Sequence, residues 1–454
     1  MTDTTSTPSN APAAVPAPRK ATSWRRSDHP NLNLIGLGLI VAWLAFWVQC
    51  FFEFSFVTDR LWVPRWVFLS LDYQHVHLGV KAWHEGLDPF SVYIDFRGRY
   101  AAPPITLLLF RWTRFFDPYV GALIWDVIIT ATFAYTVLTC LKVREQLRLW
   151  VPPVALAIAV FLWSTPAMFS IERGNLDVWV LLTLFIALNL MRRGKGKWYC
   201  EVVAGLVLAI GAWAKMYSGL FILALLPFKR WTAAATCVVG IVLIGVIPLR
   251  ETKLFFRNAG DMVTDERVTP VKQVVEWLSH PTFAPYAGRP IDPVWYGHSL
   301  TTFFPLMFSK TPLGSVPGLL VSALLFGPLW LYAAWCVYRS PRRESLFLPF
   351  TLWTMALGTY ALPNSYDYNL FFMLLTALCL WDRRDSVFVH LLMLATVVIW
   401  WQPFYIGIDR VLLIWLKMLA IIPVSMLMIR HARRPDVPAQ QLADARQHPW
   451  PALA

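Results

Sequence analysis

The stretch Leu34–Phe56 reads LIGLGLIVAWLAFWVQCFFEFSF, and its only acidic residue, Glu53, lies near its end. A run this long and apolar exceeds the roughly 18 residues that indicate a transmembrane helix. Tyr119–Leu141 repeats the pattern, with Asp126 as its only charge. Over the whole chain 57% of residues are hydrophobic and 15% charged, whereas soluble domains carry about a quarter charged residues. The sequence therefore predicts an all-α, polytopic integral membrane protein.

Basic residues recur in short segments between the apolar runs, and the positive-inside rule assigns such segments to the cytoplasm. Six of these segments separate the spans, beginning with Lys142, Arg144 and Arg148 and ending with Arg430, Arg433 and Arg434. About twelve crossings with both termini inside satisfy this constraint. The predicted spans are 34–56, 119–141, 150–171, 174–191, 199–214, 217–228, 232–249, 315–338, 345–362, 367–381, 386–404 and 409–430. Two of them, 199–214 and 217–228, are short enough to be broken half-helices.

The charge pattern also predicts how the chain is divided. Residues 1–33 are poor in apolar residues and are expected to form a disordered cytoplasmic tail, as is the segment 431–454. Between them, 34–430 forms the transmembrane domain, and its first span is read as an uncleaved anchor. The outside receives a long first loop at about 57–118 and a second loop at about 250–300. Within the first loop, the apolar run 105–110 is too short to span and is expected to lie at the interface or to re-enter.

Several functional classes are disfavoured. The net charge of +13 is explained by basic loops at the membrane surface, so no nucleic-acid partner is expected. The six cysteines show no close pair and no Cys/His metal spacing, which indicates small buried side chains. The sequence has no phosphate-binding glycine loop, nucleophile elbow or zinc-protease motif. No cofactor and no metal is predicted.

Asp72 is the first candidate for chemistry. It follows the first span in Ser70-Leu71-Asp72-Tyr73-Gln74-His75-Val76-His77. A carboxylate at the membrane face costs desolvation energy unless it is wet, paired or functional, and an ordinary solvated loop residue is the plainer alternative. A metal site with His75 and His77 is a weaker alternative, because three ligands of fixed geometry are not visible. Aromatic and basic residues such as Tyr93, Arg97 and Tyr100 follow, which suits a sugar phosphate or, equally, an interfacial belt.

Three further positions carry polar groups where apolar residues would be expected. Lys215 lies between two short apolar runs, where it could bind a lipid-linked phosphate or simply snorkel to the interface. Arg173-Gly174-Asn175 forms an outer turn, for which Gly and Asn are ordinary turn residues. His298 ends the proline-rich second loop, and a lone histidine is usually structural.

Taken in order, these residues resemble the polyprenol-phosphate-mannose-dependent mannosyltransferases, a GT-C-type family of membrane glycosyltransferases. The resemblance covers roughly residues 34–385. It rests on Asp72-Tyr73, on Gly86-Leu87-Asp88-Pro89-Phe90 with Tyr100-Ala101-Ala102-Pro103-Pro104, on Gly174-Asn175 with Lys215, and on His298-Ser299-Leu300. The chain departs from the family pattern at Phe90, where Tyr is usual, at Ala102, and at Met216-Tyr217, where Pro usually follows the Lys.

The resemblance implies a GT-C-like fold with a long first outer loop and an inverting glycosyltransferase. A polyprenyl-phosphate-linked sugar, mannose by family analogy, would be the donor, and a glycan or glycolipid hydroxyl the acceptor. Asp72 would be the general base. Lys215, His298 and Arg173 would bind the donor phosphate, while Tyr73, His75, Tyr100 and Asn175 would contact sugar or acceptor. The expected location is the inner (plasma) membrane, with the active site on the outer, periplasmic side.

Two rival functions share most of these features. A lipid-linked sugar flippase or transporter would explain the helices and Lys215, although transporters often contain paired repeats and only the pair at 199–228 shows a break. A lipid-linked oligosaccharide polymerase or ligase would also use a large outer loop. Transport predicts movement without bond cleavage, whereas glycosyl transfer releases free polyprenyl phosphate.

Overall fold

The computed structural model describes most of the apolar part of the chain. The described residues are 30–52, 70–91, 93–95, 98–100, 102–194, 197–247, 250–255, 300–301, 304, 312, 318–361, 367–401 and 416–434. Most of the two predicted tails, most of the predicted second outer loop and His298 lie outside these residues. The division of the chain into tails and a transmembrane domain therefore stays a prediction.

Helices make up nearly all of the described chain, which confirms the helical part of the prediction. The α-helices are α1 (Pro30–Phe52), α2 (Leu71–His84), α3 (Ile105–Leu109), α4 (Pro118–Gln146), α5 (Val154–Leu162), α6 (Thr165–Arg173), α7 (Val178–Gly194), α8 (Trp198–Ala214), α9 (Phe221–Leu225), α10 (Trp231–Val246), α11 (Gly318–Arg339), α12 (Phe347–Ala361), α13 (Phe371–Leu380), α14 (Val387–Trp401) and α15 (Ile421–Arg433). Short 3₁₀ segments cover Arg111–Phe115, Met216–Leu220, Leu226–Phe228, Arg343–Leu346 and Asp367–Leu370.

One small sheet interrupts the helical pattern in the predicted first outer loop. Strand β1 (Tyr93–Asp95) pairs antiparallel with β2 (Gly98–Arg99), with Tyr93 opposite Arg99 and Asp95 opposite Gly98. The loop therefore has a fold of its own: helix α2, this hairpin, the short α3 and the 3₁₀ turn that follows it. The run at 105–110, expected to be too short to span, forms the five-residue α3.

Among the residues that the structure describes, three helices are long and apolar enough to cross a membrane: α1, α4 and α11. A fourth span results if α5 and α6, which meet at a bend of 62°, are counted together. The chain is thus a membrane protein with several apolar helices. The other predicted spans coincide with shorter helices, for example α8 with 199–214 and α10 with 232–249. Because those helices are only 10–17 residues long, the count of twelve crossings stays a prediction.

The bend between α5 and α6 follows from the local sequence. Ser164 has an extended backbone, and Pro166 stands in the first turn of α6. Proline has no N–H to continue a helix from the preceding turn but fits the first turn of a new one. The predicted span 150–171 is therefore two helices, and the second one ends at Arg173 in a polar turn.

The packing separates an inner core from an apolar outer surface. Helix α8 packs between α7 and α10, α1 packs on α5, and α12, α13 and α15 pack together. Large apolar side chains nevertheless stay exposed on the outward faces, as with Leu34 on α1, Val242 on α10 and Leu324 on α11. Such continuous exposed apolar surface suits contact with lipid chains.

Candidate functional site

Asp72 lies in the first turn of α2, at one end of the helix bundle. Its Oδ1 is 3.9 Å from Nε of Arg173, which closes α6. The Asp72 side chain is 21% exposed and that of Arg173 11%, so the carboxylate keeps access to solvent. The structure thus brings the predicted base next to one of the predicted phosphate ligands.

Ser70, directly before α2, holds this arrangement in place. Its backbone is left-handed, with φ of 55° and ψ of 45°, a conformation that costs a non-glycine residue roughly 1–2 kcal/mol. Two buried hydrogen bonds offset the cost: the Ser70 N–H donates to the carbonyl of Glu172 at 2.6 Å, and Oγ donates to Oδ2 of Asp126 at 2.7 Å. The start of α2 is therefore tied to both α4 and α6.

Gly174 makes the close approach of α2 and α6 possible. It ends α6 with φ of +62°, where glycine has no steric cost. A Cβ on this residue would lie 2.8 Å from Cβ of Tyr73 and 2.9 Å from Cβ of Ser70. Its carbonyl also accepts a hydrogen bond from the indole of Trp125 at 3.0 Å. The sequence identified Gly174 as a turn residue, and the structure adds that only glycine leaves room for the Asp72 segment.

A second charge pair lies at the other end of the same turn. Asp177 is fully buried, and its Oδ1 is 3.7 Å from Nζ of Lys215, whose side chain is 26% exposed. The Asp177 Oδ2 accepts a hydrogen bond from the Asn175 amide at 2.9 Å and another from the Asn369 amide. Two carboxylate–cation pairs thus flank the short segment 173–177.

Lys215 is placed by a break in the helical chain. Helix α8 ends at Ala214, and Lys215 has an extended backbone before the 3₁₀ segment that starts at Met216. The Lys215 carbonyl accepts hydrogen bonds from the Ser218 N–H at 2.8 Å and the Ser218 hydroxyl at 2.6 Å. This agrees with the predicted interruption between the runs 199–214 and 217–228.

The sequence profile described as "Glycosyltransferase family 87" matches residues 100–363, more than half of the chain. The chain belongs to glycosyltransferase family 87. This is a GT-C family of membrane mannosyltransferases that depend on polyprenol-phosphate-mannose. No curated protein and no solved structure matches the chain.

This family 87 enzyme is therefore a membrane glycosyltransferase, as the sequence analysis expected. The matched segment contains Arg173, Asn175 and Lys215, together with Tyr100 and His298. Asp72 precedes it. The individual roles of these residues stay predictions.

Aromatic residues predicted to contact sugar or acceptor are packed inside the predicted first outer loop. Tyr73 and Tyr100 are almost completely buried, and His75 stacks on Tyr100 with ring centroids 5.6 Å apart. The Tyr100 hydroxyl shares a 2.5 Å hydrogen bond with Thr106. Burial raises the pKa of both Tyr73 and Tyr100 well above that of a solvated tyrosine. Both hydroxyls are therefore uncharged, and the predicted contacts of these rings with sugar or acceptor stay predictions.

Two histidines of α2 stack on different tyrosines. His75 packs on Tyr100, whereas His77 stacks on Tyr73 with centroids 6.2 Å apart. Among the residues that the structure describes, no group of three His, Cys, Asp or Glu side chains is placed to hold a metal ion.

Asn175, also predicted to contact sugar or acceptor, is fully buried. Besides its amide bond to Asp177, its Oδ1 accepts the Asp177 backbone N–H at 3.1 Å. In the described residues its amide thus organises the turn.

Four polar residues of the site were missed by the sequence analysis as functional candidates: Asp126, Glu172, Asp177 and Asn369. Glu172 is 1% exposed and interacts electrostatically with Arg173, Asp72 and Asp126. A signal existed for the acids, since Asp126 is the only charge in its apolar run and Glu172 ends another. Asn369 carried no such signal, because its partner Asp177 is 192 residues away in the sequence.

Proposed function

We propose that this enzyme transfers mannose from a polyprenyl-phosphate donor to an acceptor hydroxyl at the outer membrane face, with inversion at the anomeric carbon. The observation that carries the proposal is the segment 173–177, which has Asp72 beside Arg173 at one end and Asp177 beside Lys215 at the other. Four Cα–Cα steps of about 3.8 Å limit the distance between those ends to roughly 15 Å. A carboxylate and a phosphate-binding cation thus fit one bound sugar phosphate.

Asp72 is the general base in this proposal. It takes the proton from the acceptor hydroxyl as the hydroxyl oxygen attacks the anomeric carbon. The bond from that carbon to the phosphate oxygen breaks, and its electron pair leaves with the polyprenyl phosphate. Attack comes from the side opposite the phosphate, so the configuration inverts. The 21% exposure of Asp72 supports this role, because a base must reach the proton it removes.

Cations stabilise the leaving group. The phosphate of the donor is a diester with one negative charge, and cleavage turns it into a monoester with more charge. Positive groups that meet this growing charge lower the barrier. Lys215 supplies one such charge, and Arg173 and His298 are proposed to add to it. The Arg173 guanidinium lies next to Asp72, at the same end of the segment 173–177 as the proposed base.

The position of the site along α4 supports the outer location. Trp125, near the start of α4, donates its hydrogen bond to Gly174 in the site. Arg144, near the other end, belongs to a basic segment predicted to face the cytoplasm. Nineteen residues of helix at 1.5 Å each separate the two ends by roughly 28 Å, which is about the thickness of the hydrocarbon layer.

The test is transfer of label from polyprenyl-phosphate-[³H]mannose in membranes that contain the wild-type protein, Asp72→Asn or Asp117→Asn. Asp117 is a matched control, because it is an exposed carboxylate of the same outer segment that caps α4, and asparagine caps equally well. We expect labelled product with wild type and Asp117→Asn and none with Asp72→Asn. Full transfer by Asp72→Asn would show that Asp72 is not the general base.

The donor is tested in the same assay by offering polyprenyl-phosphate-[³H]glucose in parallel. Transfer from the mannose lipid alone supports mannose as the sugar. Transfer from the glucose lipid alone would show that the donor sugar is glucose and not mannose, while the proposed reaction type would stand. The anomeric configuration of the isolated product, compared with that of the donor, tests inversion.

A further inference from the structure

The Asp177 carboxylate has more polar partners than a role within one turn requires. Its two oxygens have separate partners: Oδ2 accepts the amides of Asn175 and Asn369, and Oδ1 faces the Lys215 ammonium at 3.7 Å. The Asn369 amide also lies 3.4 Å from the hydroxyl of Tyr217. The carboxylate therefore joins the end of α6, the start of α7, the break after α8 and the 3₁₀ segment before α13.

Burial makes this arrangement energetically demanding. Asp177 is 0% exposed, and a buried carboxylate is stable only with a nearby cation and hydrogen-bond donors. The two amides fix the carboxylate plane, so Oδ1 has a defined direction. Lys215 is 26% exposed and therefore reaches from this buried anion to the solvent-accessible side of the site.

We propose that Asp177 is a positioning residue that holds the Lys215 ammonium at the donor phosphate, and that Asn369 completes the anchor. The inference rests on the proposed phosphate-binding role of Lys215. An ammonium has three N–H donors, so one can point to Asp177 while others point to phosphate oxygens. Asn369 lies beyond the family-matched segment 100–363, so this part of the anchor comes from a region outside the profile.

The anchor acts by orientation. Lysine is a flexible side chain, and fixing its charge before the donor binds removes an entropy cost from the reaction. The gain is largest in the transition state, where the phosphate charge grows. Loss of Asp177 should therefore lower kcat more than it raises KM for the donor.

A double-mutant cycle separates positioning from general damage. The variants are Asp177→Asn, Lys215→Gln and the double variant, assayed for kcat and KM with the polyprenyl-phosphate-mannose donor. We expect Lys215→Gln to lose about 10²–10³-fold in kcat, as for removal of one oxyanion-stabilising group. We expect Asp177→Asn to lose about 10-fold, and the double variant to be no slower than Lys215→Gln alone.

Two further variants test the anchor at its other partner. Asn369→Leu removes one donor to Oδ2 and should give a smaller loss of kcat that also vanishes in the Lys215→Gln background. The matched control is Asn189→Ser on α7. The Asn189 amide donates to the Tyr135 hydroxyl at 3.0 Å and takes no part in the Asp177 anchor. It should leave kcat unchanged.

The outcomes distinguish this inference from the proposed function. If wild type transfers no sugar, the proposed function fails. If Lys215→Gln is as fast as wild type, Lys215 has no role in the reaction and the inference falls with it. The remaining outcome is that Lys215→Gln is slow and the double variant has a kcat still lower by the full factor that Asp177→Asn causes alone. In that case the proposed function stands and the positioning role is overturned.

A binding measurement keeps the inference testable if Lys215→Gln is too slow to assay. The rise in melting temperature of the purified protein on adding farnesyl phosphate, minus the rise with farnesol, reports phosphate recognition. We expect this difference to shrink in Asp177→Asn and Asn369→Leu and to persist in Asn189→Ser. An unchanged difference in Asp177→Asn would overturn the anchor.

Discussion

Both ends of the α4 region contain buried charged clusters, but the two clusters are built differently. At the end away from the site, Oδ1 of Asp385 lies 2.6 Å from Nη1 of Arg430. Arg144 there donates to the carbonyls of Trp150 and Leu378 at 2.7 and 2.6 Å. At the site, the corresponding charge pairs measure 3.9 Å for Asp72 with Arg173 and 3.7 Å for Asp177 with Lys215.

The difference separates charges used for structure from charges available for chemistry. Pairs at hydrogen-bond distance satisfy their groups within the protein, and breaking them costs folding energy. The pairs at the site are longer than hydrogen bonds, so each cation is near its carboxylate without a direct bond between those atoms. In the proposed reaction, a bound phosphate or hydroxyl would therefore approach these charges without breaking a direct bond within either pair.

The largest effect expected from this comparison is on Asp72. Asp72→Asn should lower transfer about 10²–10⁴-fold, the usual contribution of a general base, with little change in melting temperature. Asp385→Asn should lower the melting temperature and leave the transfer rate per folded molecule nearly unchanged, since its partner Arg430 loses a close ionic contact. The check is the rate per folded molecule together with thermal unfolding for both variants. Equal losses of rate in the two variants would abolish the distinction.

The second prediction concerns Arg144. Arg144→Met leaves two partly buried carbonyls, those of Trp150 and Leu378, without their charged donor, and each such bond contributes about 1.5–3 kcal/mol. We expect a clearly lower melting temperature in detergent and an unchanged transfer rate per folded molecule. Lys142→Met, two residues earlier at an exposed position of the same helix end, is the comparison for loss of a positive charge outside this cluster. A fall in the rate per folded molecule would show that this cluster also serves catalysis.

The third prediction compares two glycines with positive φ. Gly174→Ala meets Ser70 and Tyr73, whereas a Cβ on Gly86, at φ of +80°, meets nothing within 4 Å. Both substitutions carry the backbone cost of about 1 kcal/mol. Only Gly174→Ala should displace the start of α2 and reduce transfer as well. Similar transfer rates for the two variants would show that the contact at Gly174 adjusts without moving Asp72.

The smallest effect concerns pH and His77. Burial lowers the pKa of His77, the charge of Lys81 lowers it further, and Asp117 opposes the shift. Below the unfolded pKa of about 6.5, the unfolded segment binds a proton that the folded segment does not. Stability of α2 should therefore fall as the pH drops below that value and recover as it rises.

Hydrogen exchange of the α2 amides at pH 5.5 and 7.5 measures this effect. His77→Phe should remove the difference, because it keeps the stack on Tyr73 without a titrating group. His84→Gln, at an exposed position of the same helix, should leave the difference in place. A pH response that survives His77→Phe would assign it to another group.

The sequence predicted the positions of the helices well, because apolar runs and their flanking charges are local signals. It also singled out Arg173 and Lys215, since charges between apolar runs stand out, and their roles stay predictions. The break within 150–171 was not predicted, although Pro166 carries its physical cause. The number of crossings stays a prediction because several apolar helices are shorter than 18 residues. Apolarity alone does not determine whether such a short helix crosses the membrane. Asp126 and Glu172 stand out as charges within or beside apolar runs, but the contacts that they and Asn369 make with distant segments are not revealed by any local pattern.

The hydrogen bond from Asn369 to Asp177 has a consequence for biosynthesis. The two residues are 192 positions apart, so Asp177 enters the translocation machinery long before Asn369 has been synthesised. Its carboxylate then has only Asn175 and, somewhat later, Lys215 for partners. The bond from Asn369 can form only after residue 369 has been synthesised, so a ribosome that stalls earlier leaves a protein in which the Asp177 anchor is incomplete.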